Sequence, residues 1–424
     1  MQLSLRTDRQ LIRAGARSTR YLMVSLTAPI APPRTERPPV NVGLVLDRSG
    51  SMDAERKFAL ARDAVEQSLR LLREGDSFTL VVYDGQVDVL MPATRATEDA
   101  KRTALRRLAA VEPRGSTDLH GGWNAGALGL LDRGGTESNG VTRLLLLTDG
   151  LANVGVTDPY TLAQRAHELR TLGVATTTFG VGEDFDERLL RDMAHEGGGQ
   201  FYFVETPAQI PDLLTSELGE ALEVVRRDAA LQVELPEGAE AECLNRFRVV
   251  RAAGDNELRV ELGDLTSGQE LCVMVRLRFP RGENGTVTGV RVSVAGEDPL
   301  AREAEQTLLW QYASHADNDS QPRDRVVDRE VARLYAARAR AEATEFNRRG
   351  DYDRARRVLE ATARRIQGYT FGDRELQELR LELLREVRDF ANGPMSAMAM
   401  KSALFVAEAM GKGRGRDGRA RRSR

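Results

Sequence analysis

The stretch that decides the fold covers residues 40–60 and reads VNVGLVLDRSGSMDAERKFAL. It opens with a mostly apolar run, which is typical of a strand buried on both faces of a sheet. The run stops at Asp47, and Ser49 and Ser51 follow at alternate positions before a helical pattern begins. Gly50 lets the chain bend sharply between the two serines. We therefore expect three oxygen-bearing side chains in a tight loop at the carboxyl end of a buried strand.

Strand and helix patterns alternate throughout residues 38–226. The apolar segments VNVGLVLD, SFTLVVYD, TRLLLLTD, ATTTFGVG and FYFVE are separated by helical patterns, the last of which is predicted from Pro207 to Val225. Continuous apolar strands joined by helices are typical of a mainly parallel sheet covered on both faces. The sequence therefore predicts a doubly wound, Rossmann-like α/β domain, in which ligands bind at the carboxyl ends of the strands.

The segments on either side of this domain have the pattern of antiparallel strands. Residues 227–311 alternate apolar and polar side chains, with turn signals between the runs. About five strands are visible there, which is fewer than a sandwich usually needs. Residues 1–31 contain one or two further strand patterns, and the proline-rich residues 28–40 follow as a linker. We therefore predict that the α/β domain is inserted in an antiparallel β-sandwich.

The C-terminal part of the chain is predicted to be helical. Residues 324–392 have the pattern of a helical hairpin, with Gly350 as the left-handed cap of one helix and Asp351 as the N-cap of the next. Two helices packed against the rest of the protein are favoured over a tetratricopeptide array, because a lone unit cannot bury its apolar face. Residues 393–424 contain an apolar helix and then a basic, glycine- and arginine-rich tail, GKGRGRDGRARRSR, which we expect to be disordered.

The composition limits the classes of protein to which the chain can belong. Its 424 residues predict about two or three domains. A net charge of -3 argues against a nucleic-acid-binding protein, except through the basic tail. The two cysteines, Cys243 and Cys272, are expected to be free, packed thiols. The sequence has no signal-peptide pattern and no apolar run of about 18 residues, so we expect no membrane span and a cytoplasmic location.

Two further loops add oxygen atoms at strand ends of the same predicted sheet. The segment RGSTDLHGG contains Thr117, and the apolar strand in LLLLTDGLAN ends at Asp149. Two carboxylates about 5 Å apart repel each other by roughly 3 kcal/mol at an effective dielectric near 20, and a divalent cation removes that cost. Carboxylate and hydroxyl oxygens without histidine or thiolate suit Mg²⁺, or alternatively Mn²⁺ or Ca²⁺, rather than zinc.

The segments DRSGS, GSTD and LLTDG resemble, in their order and positions, the metal-ion-dependent adhesion site (MIDAS) of von Willebrand factor type A (VWA) domains. The resemblance implies that Ser49 and Ser51 bind Mg²⁺ directly and that Thr117 binds it directly or through water. Asp47 and Asp149 are then expected to act mainly through bound water. One coordination position stays open for an Asp or Glu of a partner protein. The flanking segments also look like bacterial members of the family, in which the domain is embedded in a β-sandwich.

Two other functions remain open from the sequence alone. A HAD-like metal-dependent phosphatase would use Asp47 as its nucleophile, but that chemistry usually needs a second aspartate two residues on, where Ser49 stands. The nucleotide-binding P-loop and the GxSxG motif of serine hydrolases are absent from the sequence. The second alternative is a scaffold that acts only through the C-terminal helices. We expect that the protein is not an enzyme. The sequence does not name its partner, but proteins of this kind sometimes work beside ATPases.

Overall fold

A computed structural model describes residues 1–31, 37–132, 140–251, 256–296, 304–370, 372–391 and 393–422. The chain divides into two compact units, which we call the central unit and the terminal unit. The central unit is Ala31–Val224, and the terminal unit combines Met1–Ile30 with Val225–Arg424. Part of the predicted linker, residues 32–36, lies outside the described residues.

Strands come first along the chain, strands and helices then alternate, and helices come last. The N-terminal segment contributes β1 (Gln2–Thr7), β2 (Leu11–Arg13) and β3 (Ser18–Thr27). The central unit contains β4 (Val40–Asp47), α1 (Lys57–Leu71), β5 (Ser77–Tyr83), β6 (Val87–Arg95), α2 (Glu98–Ala109), α3 (Leu119–Asp132), β7 (Val141–Thr148), α4 (Pro159–Thr171), β8 (Val174–Val181), α5 (Glu187–Glu196), β9 (Gly198–Val204) and α6 (Ile210–Ala221). The remainder contains β10 (Val224–Glu234), β11 (Glu240–Cys243), β12 (Arg248–Arg251), β13 (Glu257–Thr266), β14 (Glu270–Phe279), β15 (Val287–Ala295), β16 (Glu305–Ala313), α7 (His315–Ser320), α8 (Arg325–Arg348), α9 (Tyr352–Gln367), α10 (Arg374–Ala391) and α11 (Ala397–Gly411).

The central unit is built on a mixed sheet with the strand order β6-β5-β4-β7-β8-β9. β6 is antiparallel to β5, and the other neighbouring pairs are parallel. β4 lies between β5 and β7 and is buried from Val42 to Asp47. Helix α3 packs closely on it, because a Cβ atom on Gly126 would lie 2.4 Å from Cγ2 of Val45. The predicted α/β fold is therefore present, and it brings the carboxyl ends of β4 and β7 to one edge of the sheet.

Two features of the central unit differ from the sequence prediction. The strand β6 is not among the predicted strands; it lies at the edge of the sheet, where its pairing with β5 is irregular and Pro92 is tolerated. The helix predicted from Pro207 to Val225 is too long, since α6 ends at Ala221 and Val224 begins β10. Two adjacent valines favour a strand because β-branched side chains are stiff.

The described residues of the terminal unit form sheets with the strand orders β1-β3-β14-β11 and β12-β13-β10-β15-β16-β2. Both sheets combine strands from the two ends of the chain: β3 is antiparallel to β14, and β2 is parallel to β16. One apolar core contains side chains from both sheets, including Leu22 of β3, Leu231 of β10 and Trp310 of β16. The first 30 residues therefore fold with the part of the chain that follows the central unit.

The C-terminal helices begin where the turn signals predict. Gly350 has a φ of 74°, and the Asp351 side chain accepts a 3.1 Å hydrogen bond from the N–H of Arg354. The region predicted as a hairpin contains three helices, α8, α9 and α10, which share an apolar core. Helix α8 also packs through Val327 in a cluster with Met23 of β3. The helices bury their apolar faces against one another, and α8 also packs against β3, so further helical repeats are not needed.

The expectation of a disordered tail is wrong for the described residues up to 422. Arg414 is buried, and its guanidinium donates to the carbonyl oxygen of Gly418. The N–H of Glu270, at the start of β14, donates a 2.8 Å hydrogen bond to the carbonyl oxygen of Arg421. This part of β14 extends beyond its neighbour β11, which begins pairing at Val275. The tail thus supplies the backbone acceptor for the N–H of Glu270, on a part of β14 with which β11 does not pair.

Two other sequence expectations concern the thiols and the membrane. Cys243 and Cys272 are free thiols, and burial raises the pKa of Cys243 to about 11 and that of Cys272 to about 12. At neutral pH both are therefore protonated and unreactive. Among the helices in the described ranges, none is both long enough and apolar enough to cross a membrane.

We expect the native protein to keep its C-terminal tail during limited trypsin digestion, although the tail is rich in arginine. Burial of Arg414 and the backbone pairing of Arg421 with β14 require local opening before cleavage. Mass spectrometry should show that C-terminal peptides appear much more slowly from the native chain than from a synthetic peptide of residues 411–424. Equal rates of release would contradict the packed tail.

Candidate metal centre

The side chains predicted as ligands come from three loops at the carboxyl end of the central sheet. Asp47 is the last residue of β4, and Asp149 directly follows β7. The two strands pair in parallel up to Leu46 and Leu147, so both carboxylates reach the same edge. Thr117 lies just before α3, in the loop that joins α2 to α3. The topology alone therefore brings these loops together.

Asp47 is held from both sides by groups at the strand ends. The backbone N–H of Ser49 donates to Oδ1 of Asp47 at 2.7 Å, and the hydroxyl of Thr148 donates to Oδ2 at 2.6 Å. The residue is 0% exposed. Its carboxylate is thus fixed in orientation by hydrogen bonds from a backbone N–H and a hydroxyl group.

The two serines connect this loop to Asp149. Their Oγ atoms lie 3.1 Å apart, and the hydroxyl of Ser51 donates to Oδ1 of Asp149 at 2.7 Å. Ser49 is buried, whereas Ser51 is exposed. The pair therefore presents two adjacent hydroxyl oxygens, with solvent on the Ser51 side.

Thr117 reaches the same place from the third loop. A Cβ atom on Gly150 would lie 3.3 Å from Oγ1 of Thr117 and 3.9 Å from Oγ of Ser51. The backbone of Thr117 is fixed by the Asn153 side chain, which accepts from its N–H at 2.9 Å. The structure thus brings all the predicted site residues together at one edge: Asp47, Ser49, Ser51, Thr117 and Asp149.

The electrostatics of Asp47 reflect its burial. Desolvation raises the pKa of Asp47 to about 6, and the nearby charge of Asp149 adds to the increase. The hydrogen bonds from Thr148 and Ser49 lower the pKa but do not offset the burial. A buried carboxylate with a raised pKa and no cationic partner carries negative charge at a cost, which a bound cation relieves.

An ion-pair network that the sequence patterns did not predict anchors two of the loops. Arg48 Nε lies 3.1 Å from Oδ2 of Asp84, and Arg114 Nε lies 2.8 Å from the same oxygen. Burial raises the pKa of Asp84, but the hydrogen bonds from Arg114 and Gln86 outweigh it and hold the pKa below its usual value. The N–H of Arg114 also donates to the carbonyl oxygen of Arg48 at 2.7 Å. The signal in the sequence was Asp84 itself, a carboxylate directly after a buried strand.

A second missed residue is Lys57, the first residue of α1. Its ammonium group lies 2.7 Å from Oδ2 of Asp149, and its side chain is 11% exposed. A lysine at this end of a helix is unfavourable, because the positive end of the helix dipole lies there. That misplaced charge was a signal in the sequence that Lys57 has an acidic partner.

The set of donor atoms fits a hard divalent cation. In the described part of the chain, no three His, Cys, Asp or Glu side chains are grouped as a metal site. Asp47 and Asp149 supply two buried negative charges beside the three hydroxyl groups. Hard oxygen donors of this kind are preferred by Mg²⁺, Mn²⁺ and Ca²⁺.

The geometry does not favour Asp47 as a phosphatase nucleophile. Both of its oxygens accept short hydrogen bonds, from Ser49 and Thr148, and the side chain is fully buried. A nucleophilic carboxylate needs a free oxygen that faces its substrate. The arrangement suits a charge-balancing carboxylate instead.

Comparison with known proteins identifies the central unit. Residues 41–216 match the model of the von Willebrand factor type A domain family. The chain is 27% identical over 289 residues to protein YfbK of Escherichia coli (strain K12), with 65% of this chain and 49% of YfbK covered. It is 30% identical over 166 residues to inter alpha-trypsin inhibitor, heavy chain 4, of Mus musculus, with 38% of this chain and 17% of that protein covered. The chain thus spans about half the length of YfbK.

A solved structure shares the fold over nearly the whole chain. The von Willebrand factor type A protein from Catenulispora acidiphila gives a TM-score of 0.73 at 19% identity, with 96% of each chain covered. The similarity therefore extends beyond residues 41–216 to the fold of the terminal unit.

We predict that burial of Asp47 gives the metal-free protein a distinctive pH dependence. The folded-state pKa of about 6 lies above the ordinary value of 3.8, so the folded protein binds the extra proton below pH 6 and is stabilised there. This stabilisation is lost as the pH rises through 6. It amounts to about 1.4 kcal/mol between pH 5 and pH 8, since one pKa unit corresponds to about 1.4 kcal/mol.

Urea unfolding in EDTA at both pH values measures this difference. Asp47→Asn cannot titrate, so its stability relative to the wild type should be higher at pH 8 than at pH 5 by the stated amount. Other titrating groups cancel in the comparison. A stability difference that is the same at both pH values would show that the Asp47 carboxyl does not titrate in this range.

Proposed function

Residues 41–216 are a von Willebrand factor type A domain, and we propose that it binds a divalent cation and, through it, an acidic side chain of a partner protein. One observation carries the proposal: hydroxyl oxygens from two loops lie beside two buried carboxylates at one edge of the sheet, and Ser51 faces solvent. The cation is Mg²⁺, with Mn²⁺ and Ca²⁺ as alternatives. The protein acts as a binding module and not as an enzyme.

Each residue of the site has a defined role in this proposal. The hydroxyl of Ser51 donates a hydrogen bond to Asp149, so the Ser51 oxygen keeps lone-pair density available to a cation. Ser49 and Thr117 add their hydroxyl oxygens from neighbouring positions. Asp47 and Asp149 balance charge. A bound divalent cation supplies an electrophilic position that an incoming carboxylate can complete.

The partner is recognised by its charge in this scheme. The positive charge of the bound cation attracts a carboxylate that approaches from the exposed Ser51 side. That carboxylate then completes the coordination of the cation. The identity of that protein, whether an ATPase or another component of the same system, stays a prediction, as do the cytoplasmic location and any nucleic-acid contact of the basic tail. A scaffold that works through the C-terminal helices is the alternative.

We also propose that the terminal unit is a β-sandwich into which the VWA domain is inserted. Two observations support this: one apolar core contains side chains from both sheets, and the first strands pair with β14 and β16. The proposed domains keep the boundaries predicted from the sequence, 1–31 and 227–311 for the sandwich, 38–226 for the VWA domain, 324–392 for the helices, and 393–424 for the last helix and tail, although the strand β10 begins at Val224 and β16 ends at Ala313.

We predict saturable Mn²⁺ binding to the full chain by isothermal titration calorimetry, weakened at least about tenfold in Ser51→Ala because a direct ligand is lost. Ser68→Ala is a matched control, since Ser68 is a buried serine on α1 without a side-chain hydrogen bond. It should bind Mn²⁺ as the wild type does. Absence of binding to the wild type, or equal binding to Ser51→Ala, would refute the metal site.

The interaction itself can be tested by affinity capture in Mg²⁺ and in EDTA. A protein held through the metal should be retained in Mg²⁺ and released by EDTA, and Ser51→Ala should not retain it. Ser68→Ala should behave as the wild type. Capture that survives both EDTA and Ser51→Ala would favour the scaffold alternative.

A further inference from the structure

The ion pair between Lys57 and Asp149 lies inside the candidate metal centre but is not explained by its ligand pattern. The ammonium nitrogen is 2.7 Å from Oδ2 of Asp149, while Ser51 occupies Oδ1 of the same carboxylate. A Cβ atom on Gly182 would lie 3.8 Å from this nitrogen, so the ammonium also reaches the end of β8. Lys57 therefore adds a positive charge where a divalent cation is proposed to bind.

The backbone before Lys57 is shaped to place it there. Glu55 and Arg56 have positive φ values of 52° and 60°, and α1 begins at the next residue. Left-handed conformations are costly for residues other than glycine, and two in succession are unusual. The strained turn directs the first residue of α1 back toward Asp149. Such strain is often found at functional sites.

Lys57 changes the net charge of the candidate metal centre. Asp47 and Asp149 together carry two negative charges, and Lys57 reduces the sum to one. A divalent cation would then leave the site with one net positive charge, whereas without Lys57 the loaded site would be neutral. Of the two arginines in the preceding loop, Arg48 is paired with Asp84 and Arg56 is exposed.

We propose that Lys57 sets the balance between metal and carboxylate binding: it lowers the affinity of the site for a divalent cation alone and raises the affinity of the loaded site for an anionic ligand. The inference rests on the proposed function and deepens it. The ammonium repels the cation, which lowers the affinity for metal alone. The same positive charge attracts an incoming carboxylate to the loaded site.

The test measures the Mn²⁺ dissociation constant of the full chain by calorimetry, with and without saturating acetate. Acetate stands in for the partner's carboxylate. In the wild type, acetate should tighten Mn²⁺ binding. In Lys57→Gln, whose amide can still donate to Asp149, Mn²⁺ alone should bind about tenfold more tightly, and acetate titrated into the Mn²⁺-loaded protein should bind more weakly than to the loaded wild type.

Two further variants separate charge from structure. Lys57→Arg keeps the charge, so its affinities for Mn²⁺ and for acetate should match those of the wild type. Lys57→Met gives a second neutral variant if Lys57→Gln folds poorly. Arg56→Gln removes a neighbouring exposed charge and should behave as the wild type.

The outcomes distinguish this inference from the proposed function. If the wild type binds Mn²⁺ but both neutral variants have the wild-type affinity for Mn²⁺ and, when loaded, for acetate, the proposed role of Lys57 is wrong and the metal site stands. If the wild type binds no Mn²⁺ at a site sensitive to Ser51→Ala, both fail. An equal change in Arg56→Gln would also overturn the proposal, because the effect would then be one of general surface charge.

Discussion

The constraint on which the rest depends is the burial of two like charges at one edge of the central sheet. Asp47 and Asp149 are both 0% exposed, and parallel pairing of β4 and β7 brings them to neighbouring strand ends. Two carboxylates in such a place repel each other and lose their hydration. The chain tolerates them because hydrogen bonds fix Asp47 and an ammonium group faces Asp149. The negative charge that remains is what a bound divalent cation would offset.

The surrounding structure serves to keep the three loops in place. Arg48 and Arg114 share Asp84, which ties the first serine loop to the loop that carries Thr117. The N–H of Gly50 donates to a carbonyl oxygen of that second loop, at Gly115. Ligands held by neighbouring loops in this way are oriented before a metal binds, so that less conformational freedom is lost on binding. The loops of the VWA domain are thus held in place by contacts within the protein.

Much of the fold, and the convergence of the candidate ligands at one edge, could be predicted from sequence for a physical reason. The apolar character of β4 and β7 indicates that both strands are buried. Because parallel strands end at the same edge of the sheet, the sequence also indicates that Asp47 and Asp149 lie at one edge. Lys57 and Arg48 could not be assigned in the same way, since their partners depend on loop conformation and lie far away in sequence. The packed tail was missed for a similar reason: its composition resembles disorder, and the open edge of β14 that it satisfies is visible only in three dimensions.

The most direct test of the metal site is anomalous diffraction from crystals of the full chain grown with Mn²⁺. We predict a strong anomalous peak within coordination distance of the hydroxyl oxygens of Ser49 and Ser51, with Asp47 and Asp149 in the shell behind them. The open side of that ion should face solvent or an acidic side chain. Mn²⁺ peaks only at other places, with these hydroxyl groups bonded to protein atoms alone, would contradict the metal site.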